Sequence, residues 1–160
     1  MTACNSGSSD ASNNADSTTK STDTSAKTTD TSHGNMNMSS VQPVPDIPAG
    51  ARVYFKNLKD GQTVTSPVKV EMGADGIKVD SAGTLRQGSG HHHILIDGAS
   101  MDAGQVVPKD STHLHFGNAQ THAEVPLKPG KHTLTLQFAD GLHRSYGSKL
   151  SSTITVTAKK

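Results

Sequence analysis

Eight of the nine histidines in this 160-residue chain fall between positions 91 and 143, and imidazole is the commonest side-chain ligand for transition metals. They come as a triplet, His91-His92-His93, as the spaced pair His113 and His115, and singly as His122, His132 and His143. Side chains two apart on a β-strand share a face, so His91 goes with His93 and His113 with His115. If those two segments are neighbouring strands, opposed β-carbons stand ~5 Å apart. Three or four rings can then converge on one ion at ~2.0–2.1 Å, the Zn–N distance. The candidate ligands are therefore His91, His93, His113, His115, His132 and His143. Copper is the expected ion and zinc the alternative, since imidazole suits both.

Flanking residues sort these histidines. Leu114 and Phe116 read as inward-facing, which turns His113 and His115 to the opposite face. His92 shares a face with Ile94 and Ile96 and reads as a buried structural residue. His132 shares a face with Leu134 and Leu136, at the end of the core, either as a capped core histidine or as a ligand at the rim. His143, in the turn Asp140-Gly141-Leu142-His143, is free to fold over the site. His122 precedes Glu124 on an exposed face and is the least ligand-like.

Softer ligands lie elsewhere. His33-Gly34-Asn35-Met36-Asn37-Met38 combines imidazole with two thioethers, a set that favours Cu(I); the alternative is two chance methionines in a polar tail. His33, Met36 and Met38 are auxiliary copper candidates, as is Met101 in the loop after the triplet.

Short β-rich runs separated by Gly, Pro and Asp turns must position these residues. Arg52 to Phe55, Val68 to Met72, Ile77 to Val79, His91 to Asp97, Thr112 to Phe116, Thr121 to Val125, His132 to Phe138 and Ser152 to Thr157 read as strands. No window carries a helical period with start and stop signals. Seven or eight strands in about 110 residues point to an antiparallel Ig-like sandwich, with a small closed barrel as the alternative.

Composition divides the chain. Of the first 40 residues 18 are Ser or Thr, and Leu, Ile, Val and Phe occur only from residue 41 onward. Residues 1–45 thus read as a disordered tether and residues 50–158 as the β domain. The net charge of +1, without any Lys/Arg cluster, argues against a nucleic-acid partner and against a basic membrane-binding patch. The lone cysteine, in Thr2-Ala3-Cys4-Asn5-Ser6, looks like the acylation site of a bacterial lipoprotein, with the alternative of an incidental thiol. Cys4 would then anchor the domain in the cell envelope. Asn5 after the cysteine favours, by analogy with Gram-negative sorting, the periplasmic side of the outer membrane.

From Gly90 through His91-His92-His93-Ile94-Leu95-Ile96-Asp97 the chain resembles a bacterial family of short exported Ig-like β domains of unknown function. The likeness continues through His115-Phe116-Gly117, Gln120-Thr121, Pro129-Gly130-Lys131-His132-Thr133-Leu134 and Asp140 to His143, and spans roughly residues 52–157. It implies the sandwich fold and a joint role for His91–His93, His115, His132 and His143, without naming a ligand. The family pattern carries a further histidine three positions after the one matching His143; here that position is Tyr146.

Three functions are compatible with these residues. The favoured one is a copper-binding envelope protein, acting as chaperone, buffer or delivery factor toward an envelope metalloprotein. The second is an interaction module, metal-free or with a structural metal, because sandwiches host unrelated functions. The third is a mononuclear metalloenzyme. Asp97, Asp102 and Glu124 are available as carboxylates, yet none has diagnostic spacing, and neither G-x-S-x-G nor H-E-x-x-H occurs.

Overall fold

A computed structural model describes residues 43–160 of the chain. Nine strands run in chain order: β1 (Arg52–Phe55), β2 (Gln62–Thr65), β3 (Val68–Asp75), β4 (Lys78–Val79), β5 (Ser89–Ile96), β6 (His113–Phe116), β7 (His122–Val125), β8 (Gly130–Ala139) and β9 (Ser151–Lys159). They form two sheets. One has the order β1-β3-β7; the other runs β2-β9-β8-β5-β4, with β6 also paired to β5. The architecture is an all-β sandwich whose only helical element among the described residues is a 3-10 turn, Ser148–Leu150.

Alternating apolar residues account for the layers. Val68, Val70 and Met72 of β3, with Val53 and Phe55 of β1, meet Leu134, Leu136 and Phe138 of β8 and Ile154 and Val156 of β9 in one buried cluster. Each such side chain, fully buried, contributes ~1.5–3 kcal/mol from removal of its apolar surface from water. Val125 and Ile94 complete the same core.

Each strand read from the sequence is present, and β2 is added to them. Gln62-Thr63-Val64-Thr65 carries a single apolar residue, too little alternation to mark a strand by pattern. The pairing is not wholly antiparallel either: β2 runs parallel to β9, and β4 runs parallel to β5. Both are short strands at a sheet edge, and their partners are fixed by the rest of the sheet rather than by their own residues.

The feature that matters for function is β5, which is buried on both faces. Its inner face joins the core. Its outer face is roofed by two loops, residues 97–112 and 140–147, which bond to each other: Val107 N–H donates to His143 O at 2.8 Å, Gly104 N–H to Ser145 O at 2.8 Å and Ser145 N–H to Gln105 O at 2.7 Å. Beneath this roof Leu95, Val107 and Ala139 form a second, smaller apolar cluster with Met101 packed against it.

Candidate metal centre

Alternation along β5 sends His92 and Ile94 into the core and His91, His93 and Leu95 under the roof. The β5–β6 register sets His93 opposite His115, and the β5–β8 register sets His91 opposite the small Ala139, leaving room for a ring. The fourth ring comes from the roof itself. His143 holds a left-handed backbone, φ 66°, a conformation disfavoured for residues other than glycine that persists where surrounding bonds enforce it.

Those bonds come from Asp140. Its buried carboxylate accepts from Leu142 N–H at 2.8 Å and Arg144 N–H at 3.0 Å and from Arg144 Nε–H at 2.8 Å, and its Oδ2 forms an ion pair with Arg144 Nη2 at 2.7 Å. The Asp140 main chain closes the turn, accepting from His143 N–H at 3.0 Å and donating to Arg144 O at 2.9 Å. Gly141 lets this turn sit against the carbonyl of Thr84, because any β-carbon there would overlap Thr84 O.

Four imidazoles therefore meet. The Nε2 atoms of His91 and His93 are 3.0 Å apart and those of His115 and His143 are 3.1 Å apart. Ring centroids of His91 lie 5.0 Å from those of both His115 and His143, and His93 lies 5.0 Å from His115. Ligand atoms of His91, His115 and His143 all fall within 4.8 Å of one another, a group able to hold a metal ion; His93 flanks it, 6.1 Å from His143 between centroids. Bonds of ~2.0–2.1 Å to one ion imply nitrogen–nitrogen edges of about 2.9–3.4 Å, which the two Nε2 pairs already match. His91 and His93 are fully buried, while His115 and His143 are partly exposed and form the open side.

Burial disfavours the charged form of His91, His93 and His115, and the neutral form is the one that binds metal. Desolvation, reinforced by the other imidazoles, lowers the pKa of His91 to about 4 and that of His93 to about 2. The same causes lower His115. In the metal-free pair one Nε2–H of His91 or His93 donates to the other Nε2, so the accepting ring carries its proton on Nδ1. Both Nδ1 atoms are buried without a hydrogen-bond partner among the described residues.

Two of the six candidate ligands stand outside this group. His113 lies on the expected face, but its Nδ1 is 2.9 Å from Asp110 Oδ1. His132 bonds Asp97 Oδ2 through Nδ1 and Lys128 O through Nε2, both at 2.9 Å. With both nitrogens facing acceptors its charged form is favoured, and Asp97 raises its pKa. It stands capped at both nitrogens, outside the group able to hold an ion. His92 packs edge-on to Phe138, ring centroids 5.0 Å apart, and exposed His122 lies on the other sheet, opposite Glu71. Met101 contributes to the apolar cluster under the roof. Cys4, His33, Met36 and Met38 lie outside the described residues.

Sequence reasoning missed the supports. The pair Asp140 and Arg144, four apart in a Gly-containing turn, was legible only as a turn. Gly117 was legible only as part of a motif, yet a methyl there would overlap Cε1 and Nε2 of His115. Its backbone is not left-handed, so alanine fits the chain; the ring must move, and Ala82 Cβ, 3.3 Å away, must give slightly. Gly117→Ala is expected to weaken metal binding at least about tenfold, within the range for changes that misorient a ligand, while leaving thermal unfolding nearly unchanged. Parallel metal titration and melting of the two proteins check this.

A family model described as a domain of unknown function, DUF4399, matches residues 70–159. No curated protein and no solved structure gives a match.

Proposed function

The chain belongs to the DUF4399 family, and from that premise we propose that it is a transition-metal carrier of the cell envelope that holds copper on His91, His93, His115 and His143. The observation that carries this reading is the convergence of four imidazoles, with Nε2 separations of 3.0 and 3.1 Å. Imidazole is a ligand suited to copper, and zinc is the alternative. A site with two buried and two partly exposed ligands suits a carrier: the inner pair retains the ion while the outer pair can be exchanged for a partner's ligands. The Thr2-Ala3-Cys4-Asn5 sequence supports a lipid anchor at Cys4 and an envelope location, and an envelope metalloprotein is the fitting recipient.

Tag-free protein, loaded and dialysed at pH 7.5, is expected to retain about one copper per chain. His115→Gln and His143→Gln are each expected to weaken binding at least about a hundredfold, no less than the top of the range for losing an outer hydrogen bond to a ligand. Retention of neither copper nor zinc would refute the carrier reading. In cells, Cys4→Ser is expected to move the protein from the membrane to the soluble fraction; unchanged membrane association would refute the anchor.

A further inference from the structure

We infer that the histidine cluster selects a monovalent soft ion, copper as Cu(I), over Cu(II) and Zn(II). The inference rests on the metal-binding reading above and adds the oxidation state of the cargo.

Three observations carry it. First, the ligand set has no charge of its own: the group able to hold an ion consists of His91, His115 and His143, flanked by His93. The acid whose field reaches His91 is Asp140, and that carboxylate is already paired with Arg144 at 2.7 Å. An ion bound here keeps its full charge. Second, His91 and His93 are fully buried, so the ion sits at the edge of a medium of low polarity. The solvation cost of moving an ion from water scales with the square of its charge, so a dication costs about four times as much as a monocation of equal size.

Third, the outer hydrogen bonds that strengthen imidazole toward dications are missing from the inner pair. Histidines on such ions ordinarily hand their second N–H to a carboxylate or carbonyl. The Nδ1 atoms of His91 and His93 meet no acceptor among the described residues. The described histidines bonded to carboxylates, His113 with Asp110 and His132 with Asp97, both stand outside the cluster. The domain has carboxylate–histidine pairs and uses neither among the four clustered rings. A neutral, partly desolvated set of weakly polarised imidazoles fits a d10 monocation, which gains least from anionic ligands.

The test uses the tag-free full chain. Cu(I), supplied anaerobically with ascorbate, is titrated against a chromophoric Cu(I) chelator; Cu(II) and Zn(II) are titrated against chelators of their own. Cu(I) is expected to bind at least about a hundredfold more tightly than either dication, a difference well outside titration error. His115→Asp and His143→Asp replace a partly exposed neutral ligand with an anionic one. Each is expected to narrow that ratio at least about tenfold, the effect of one added charge on a bound dication at short range. A wild-type ratio at or below one, or a ratio that both aspartate variants leave unchanged, would overturn the Cu(I) inference while the metal-binding reading stands. Binding of none of the three ions would overturn both.

Discussion

Asp140→Asn is expected to destabilise the metal-free domain by about 3–5 kcal/mol, the usual cost of removing one member of a buried ion pair. Asp140 is fully buried, and its carboxylate holds the Arg144 guanidinium at 2.7 and 2.8 Å as well as two main-chain amides of the turn. Asparagine is nearly isosteric, so the loss reports charge and hydrogen bonding rather than a cavity. In a domain of this size the melting temperature should fall by more than about 10 °C. Urea unfolding should show a lower midpoint at unchanged slope. Adding Arg144→Met to Asp140→Asn should recover part of the loss, because the guanidinium that lost its carboxylate is then gone. Metal binding should also weaken, since the turn that fixes His143 in its left-handed conformation is built on this carboxylate. A stability change below about 1 kcal/mol would show that the roof is held by other contacts.

Acidification of the metal-free domain gives the second large effect. Burial lowers the pKa of His91 and His92 to about 4 and that of His93 to about 2, from the ordinary 6.5. Above pH 6.5 these residues are neutral in both folded and unfolded chains and contribute no pH dependence. Below it the unfolded chain takes up protons that the folded chain refuses, so stability falls as pH drops from about 6.5 toward 4. Each histidine adds about 1.4 kcal/mol per pH unit to the slope. His132, raised by Asp97, does not alter this window: its contribution is fully present below 6.5 and fades only as pH rises through its folded value. Asp80, held down to about 2 by Arg86, loses its contribution only below the ordinary carboxylate range. Melting curves at pH 7.5, 6, 5 and 4.5 should therefore drop steeply and progressively. His92→Leu isolates one proton of this slope. Both its ring nitrogens are buried without a partner among the described residues, so an apolar replacement beside Phe138 should hold or raise stability at pH 7.5. It should also make the decline shallower by about 1.4 kcal/mol per pH unit. A flat profile in the native protein would show that the imidazoles are protonated in the folded state.

Much of the frame could be read from local pattern, because a strand's period of two is written in its own residues. Leu134, Leu136 and Phe138 alternate with polar residues, and Val68, Val70 and Met72 do the same; these became the facing walls of the core. The same period separated His92 from His91 and His93 and placed His113 and His115 on one face. The expectation that His143 could fold over the cluster came from its position in a turn. Pattern failed at β2, where one apolar residue in four gave no alternation, and at the parallel pairings of β2 and β4, since strand partners are long-range facts.

What the sequence alone determined is therefore the all-β class, the two faces of each long strand and the set of imidazoles from which a site could be drawn. Tertiary structure decided which of them compose it. Register set His93 beside His115, and a buried ion pair carried His143 onto His91 from a separate turn. The Asp97 carboxylate and the Lys128 carbonyl engage both nitrogens of His132, while Asp110 engages His113 from within its own loop. A histidine's chemistry depends on whether its nitrogens face a carboxylate, a carbonyl or another imidazole within about 3 Å. Some of these distances are local, as between Asp110 and His113, but those that bring His115 and His143 to the triplet and Asp97 to His132 are set by the packing of elements remote in sequence.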